Sequence, residues 1–145
     1  MIRRGFKSAV LLVVVGVALS GCLRNTPGNV AKRFVKSIKE MKWEKMEKLV
    51  DWTASGARTA NRRELLTDVA EHLTRYEIRE YGEKRARSYF LYLRVTKIET
   101  LKRTDRLARL RVDLSMSREQ TMTFDMTLRK VDRTWRVVIT PDLLP

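Results

Sequence analysis

The last third of the chain alternates with a period of two. Ala108, Leu110, Val112, Leu114 and Met116 are separated by Arg109, Arg111, Asp113 and Ser115. Met122, Phe124, Met126 and Leu128 repeat the pattern against Thr121, Thr123, Asp125, Thr127 and Arg129, and Trp135, Val137 and Ile139 repeat it before Pro141 stops it. Successive side chains of a strand point to opposite faces, so each run predicts a strand with one buried and one wet face. An earlier run from about Ser88 carries Leu91, Leu93 and Val95, then shifts phase to Ile98, which predicts a bulge. The links at Arg103 to Arg106, Ser117 to Gln120 and Val131 to Thr134 are short and polar. They join the four strands as an antiparallel meander, whose apolar face needs a cover.

The cover comes from the preceding segment, where the apolar period is helical. Thr26-Pro27 is a start signal, and Val30, Phe34, Ile38 and Met41 then recur on one face, with Lys32, Lys36 and Lys39 opposite. A second, short helix runs from about Lys42 to Val50 and buries Trp43, Met46, Leu49 and Val50, with Glu44 and Lys48 placed to pair. Thr53 to Ala60 is small and polar, hence a loop. Asn61 with Glu64 reads as a capping box for a third helix, which shows Leu65, Leu66, Val69, Leu73 and Tyr76 on one face and ends near Gly82. The fold class expected is α+β, three N-terminal helices packed on a curved four-stranded antiparallel meander.

This order of elements, the helix Lys42-Trp43-Glu44-Lys45-Met46-Glu47-Lys48-Leu49-Val50 and the closing strand Asp132-Arg133-Thr134-Trp135-Arg136-Val137 resemble small lipoproteins of the nuclear-transport-factor-like, or cystatin-like cone, superfamily. The resemblance covers roughly Thr26 to Thr140. It implies a sheet wrapped around the helices, leaving a cone that is filled in some members and a pocket in others. It departs at Arg133, where the last turn often has Gly, and at Lys42, where Gly-Asp often precedes the second helix.

The start of the chain carries an address. Met1 to Lys7 holds Arg3, Arg4 and Lys7 and no acid, and Ala9 to Leu19 is an apolar run of eleven residues. That is short of the roughly twenty helical residues a bilayer needs, and it has the layout of a secretory signal. Arg3-Arg4-Gly5-Phe6 is part of a twin-arginine pattern, but Ile2 and Lys7 depart from it, which favours the general secretory route. Leu19-Ser20-Gly21-Cys22 resembles the lipobox of bacterial lipoproteins at all four positions. Small residues admit the backbone to a peptidase cleft, and the Cys22 thiol is free to take a diacylglycerol before cleavage between Gly21 and Cys22. The domains expected are a signal peptide at 1–21, a lipidated cysteine with its tether at 22–28 and a cone-type domain at 29–145. With Leu23 rather than Asp after the cysteine, the expected location is the extracytoplasmic face of a membrane, and the periplasmic face of the outer membrane where there are two. One cysteine excludes an internal disulfide.

Among the 145 residues, Lys and Arg number 31 against 17 Asp and Glu, a net charge of +14. Loss of Arg3, Arg4 and Lys7 leaves +11 on the mature chain. The arginines are scattered over strand faces and turns and the tryptophans read as core, so no stacking stripe for nucleic acid is expected. Lys32, Lys36 and Lys39 are candidates for a membrane-facing side, since anionic headgroups attract lysines close to the surface. Some members of the cone superfamily are enzymes with an inward carboxylate, His or Tyr. Here Asp113 and Asp125 fall on the outward face, so no catalytic residue, cofactor or metal site is expected. His72, the lone histidine, with Tyr76, Tyr89 and Tyr92 is what could line a pocket. The function expected is a tethered, non-catalytic binding or scaffolding module for an envelope protein partner. The alternatives are a carrier of a small apolar ligand or lipid and, third, a cone-type isomerase or dehydratase.

Overall fold

The computed structural model describes residues 25–56, 61–117 and 119–145. The segment read as a signal sequence, the expected cleavage site at Gly21 and Cys22 lie outside the described residues. Helix α1 spans Pro27–Lys39, with Pro27 at its first position and the Thr26 hydroxyl accepting from the Asn29 N–H at 3.2 Å. Helix α1 thus starts two residues inside the segment read as tether. Its apolar stripe of Val30, Phe34, Val35 and Ile38 is buried, and Lys32 and Lys36 stand in solvent. Helix α2 spans Trp43–Lys48 and buries Trp43 and Met46. Glu47, rather than Glu44, makes an ion pair, with Arg62 at 3.4 Å.

Helix α3 covers Arg62–Thr74. Asn61 precedes it without a side-chain cap, so the capping box is not formed. The helix stops eight residues short of Gly82, because Arg75 is left-handed with φ of 56° and the Thr74 hydroxyl turns back to the Ala70 carbonyl at 2.6 Å. Two further helices follow among the described residues, α4 at Ile78–Tyr81 and α5 at Glu83–Tyr89. Gly82 breaks them apart with φ 87° and ψ 158°, a conformation that a side chain resists. A 3₁₀ turn, Phe90–Tyr92, completes the segment. There are therefore five α-helices in the described residues where three are expected from the sequence, and the first strand begins at Arg94, not near Ser88. The residues buried here are Ala86, Phe90 and Leu93, spaced four and three apart, which is helical spacing.

The strands are β1 Arg94–Arg103, β2 Leu107–Ser115, β3 Thr121–Val131 and β4 Thr134–Val138, hydrogen-bonded in the order β1-β2-β3-β4. All three pairings are antiparallel, as the alternation predicts. Register shifts fall between Val95 and Lys97 and between Thr100 and Lys102, so the expected bulge is present and a second accompanies it. Leu110 faces Met126, Val112 faces Phe124, and Leu128 faces Val137, which aligns the apolar positions on one side. Helix α1 packs on that side against β1, β2 and β4, and α3 reaches β3.

Candidate functional site

A cone-type site would lie on the helix-covered side of the sheet, and that side is packed. Leu110, Val112, Leu114, Met126, Leu128 and Val137 are buried there against Phe34, Ile38, Met46, Leu66 and Leu73 from the helices. Asp113 and Asp125 point outward. Asp125 bridges Arg109 at 3.0 Å and Arg111 at 3.1 Å, and Asp113 accepts from the Thr123 hydroxyl at 2.7 Å. The one buried acid among the described residues is Asp51. Its Oδ1 accepts from the Ala54 N–H at 3.1 Å, and Ser55, whose hydroxyl donates to the Asp51 carbonyl, accepts from the Ile139 N–H at 2.9 Å. These bonds brace a corner of the chain. Among the described residues no group of three or more His, Cys, Asp and Glu is placed to hold a metal ion.

Of the four residues expected to line a pocket, Tyr76 and Tyr89 meet, while His72 and Tyr92 lie apart. Tyr76 and Tyr89 stack at 4.5 Å between ring centres, with Phe90 edge-on to both. The Tyr89 hydroxyl donates to Gln120 Oε1 at 2.7 Å, so this pair seals the start of the sheet to the helices. His72 lies in a different, shallow groove of about 500 Å³ lined by Arg111, Phe124, Asp125 and Asp142. Tyr92 is 72% exposed and lines a third. The reason is the helical path of residues 83–92, which turns Tyr89 inward and Tyr92 outward.

The lysine candidates do share one surface. Lys32, Lys36 and Lys39 line a shallow groove of about 320 Å³ with Leu93, Arg94 and Val95. Lys39 and Arg94 also line the adjoining, larger groove of about 950 Å³, whose wall is Leu91 and Tyr92. Lys36 and Lys42 approach Glu40 at 3.8 and 2.8 Å. The Lys42 ammonium holds the Glu40 carboxyl below its ordinary range and is itself raised by it. Pairs this exposed add little stability. Leu91, which the alternation places among the apolar positions of the first strand, is exposed instead. The signal was available in the run Tyr89-Phe90-Leu91-Tyr92-Leu93, whose unbroken apolar character is incompatible with a one-faced strand.

No family model matches the sequence, and no curated protein matches it either. Among solved structures the chain is similar to a Campylobacter jejuni protein provisionally named an NTF2-like transpeptidase. The TM-score is 0.51 at 18% identity, over 79% of this chain and 99% of that one. A likeness at this identity speaks for the fold, and the fold is nuclear-transport-factor-like, as the resemblance in the sequence implies. No helix among the described residues is long and apolar enough to cross a membrane.

Proposed function

We propose that the chain is a bacterial lipoprotein, anchored by acylated Cys22 on the extracytoplasmic side of a membrane, and that its domain is a non-catalytic binding or scaffolding module for an envelope protein. The observation that carries the non-catalytic half is the filled space between the sheet and the helices. A general base must reach a substrate before its acidity matters, and here that space is occupied by Phe34, Ile38, Leu110 and Met126. The same packing disfavours a carrier, since an apolar cargo needs an enclosed volume of its own. The anchoring half rests on Leu19-Ser20-Gly21-Cys22 behind an eleven-residue apolar run.

Intact mass of the membrane-extracted protein tests the anchor. The expected product begins at Cys22 and carries diacylglycerol and acyl mass, and a Cys22→Ser variant leaves the detergent phase. A mature chain beginning elsewhere removes this reading. Crosslinking in the native envelope tests the module, with one reproducible protein partner expected. Stoichiometric lipid co-purifying with the folded domain, or turnover lost on His72→Ala with the fold intact, overturns it in favour of a carrier or an enzyme.

A further inference from the structure

We propose that the turn Phe90–Tyr92 and the exposed side of α1 form a docking surface for an anionic lipid bilayer, with Leu91 and Tyr92 entering the interface and the surrounding cations meeting headgroups. Leu91 and Tyr92 are 64% and 72% exposed, more than any other large apolar side chain among the described residues, and they are adjacent on one turn. Single exposed apolar residues are ordinary, but two together at the rim of a groove indicate contact. A tyrosine beside a leucine suits the acyl–headgroup boundary, where the ring is dry and the hydroxyl wet.

The charge around the turn is predominantly positive. Lys39 and Arg94 line the groove that holds Leu91 and Tyr92; Lys39, Lys42 and Arg87 line a second that holds Leu91; and Lys32, Lys36, Lys39 and Arg94 line a third beside Leu93, against the acids Glu40 and Glu119. Among the described residues Lys32, Lys39, Arg87 and Arg94 make no ion pair, so their charge is available to an anionic surface. An exposed apolar pair ringed by cations is the pattern of interfacial binding, in which buried apolar area and headgroup attraction add.

The placement fits the proposed tether, on which the second point of attachment rests. Cys22 precedes the first residue of α1 by five positions, and Asn25 is pinned to the β3–β4 turn by bonds to the Arg133 carbonyl and the Trp135 N–H, both at 3.1 Å. Lys39, at the other end of the 13-residue helix, borders Leu91 and Tyr92. A helix of that length runs about 20 Å. The anchor and the apolar turn therefore hold the two ends of α1, which lies along the bilayer with its lysines beneath it.

Hydrogen exchange on the full chain in vesicles of phosphatidylglycerol and phosphatidylcholine, compared with phosphatidylcholine alone, tests the surface. Amides of 33–40 and 88–95 are expected to exchange about tenfold more slowly on the anionic vesicles, with β2 and β3 unchanged. The effect shrinks at ~0.5 M NaCl, where screening acts within about 4 Å. A Leu91→Ser/Tyr92→Ser variant removes exposed side chains only, so it keeps the wild-type Tm while losing the protection. Equal exchange on both vesicles, protection centred on another segment, or a fully protected double variant overturns the proposal. Intact mass of the same sample separates the two readings: an acylated chain without protection at 88–95 overturns the docking surface alone, and a non-acylated chain with protection overturns the tether and keeps the surface.

Discussion

Two consecutive residues with side chains, Asp132 and Arg133, turn the β3–β4 hairpin at φ of 48° and 66°. A two-residue hairpin loop with both φ positive matches the twist of its strands, and glycine at the second position takes that conformation without a Cβ clash. The departure seen in the sequence at Arg133 is thus a strained residue in an ordinary turn. Asn25 helps to hold it by bonding both the Arg133 carbonyl and the Trp135 N–H. Arg133→Gly is expected to stabilise the domain by about 0.5–1 kcal/mol, because the strain goes and both Asn25 bonds are to backbone. Urea denaturation with an unchanged slope measures it, and a loss of stability shows that the arginine side chain carries a contact that outweighs its strain.

At the scale of elements, the segment from Glu83 to Leu93 is where helix and strand compete. Read by alternation it starts a strand, and read by what it buries it is helical, since Ala86, Phe90 and Leu93 face the core. The helical path decides the two neighbouring tyrosines differently. Tyr76→Ala removes a ring stacked on Tyr89 and packed on Phe90, and is expected to cost about 2–3 kcal/mol. Tyr92→Ala is expected to change stability by less than about 0.5 kcal/mol. Thermal unfolding of the two variants side by side checks the pair, and equal losses contradict the outward placement of Tyr92.

The whole molecule must also deal with the two edges of its sheet. At β4 the edge is closed by the chain following α2: the Asp51 N–H donates to the Val137 carbonyl at 2.8 Å and the Val137 N–H to the Leu49 carbonyl at 2.7 Å. At β1 two register shifts and the charges of Lys97, Lys102 and Arg103 discourage pairing with another chain. Six-residue α2 has little stability of its own, so its place depends on Trp43 and Met46 in the core. The indole N–H of Trp43 donates to Glu83 Oε1 at 3.0 Å, and the Arg63 guanidinium lies 4.7 Å from its ring, which ties α2, α3 and α5 together. Met46→Ala is expected to cost about 2–4 kcal/mol and to speed exchange at the Val137 amide, read by denaturation and hydrogen exchange. A small loss with the Val137 amide unchanged shows that the β4 edge closes without α2.

The sequence by itself determined the sheet. Its last three strands, their inner faces, their antiparallel order and the bulge after Val95 were all legible, because a period of two admits one arrangement of buried and wet faces. It also set the start of α1, through Thr26 and Pro27, and the outward direction of Asp113 and Asp125. Only the tertiary structure decided the segment between Thr74 and Arg94, where short apolar runs satisfy a helix and a strand equally and the choice depends on which residues find neighbours. That choice set Tyr92 apart from the stacked Tyr76 and Tyr89, with His72 in a separate groove, and it carried Leu91 and Tyr92 out beside Lys39 and Arg94. Such a surface joins residues more than fifty positions apart, and no local period encodes where two distant elements meet.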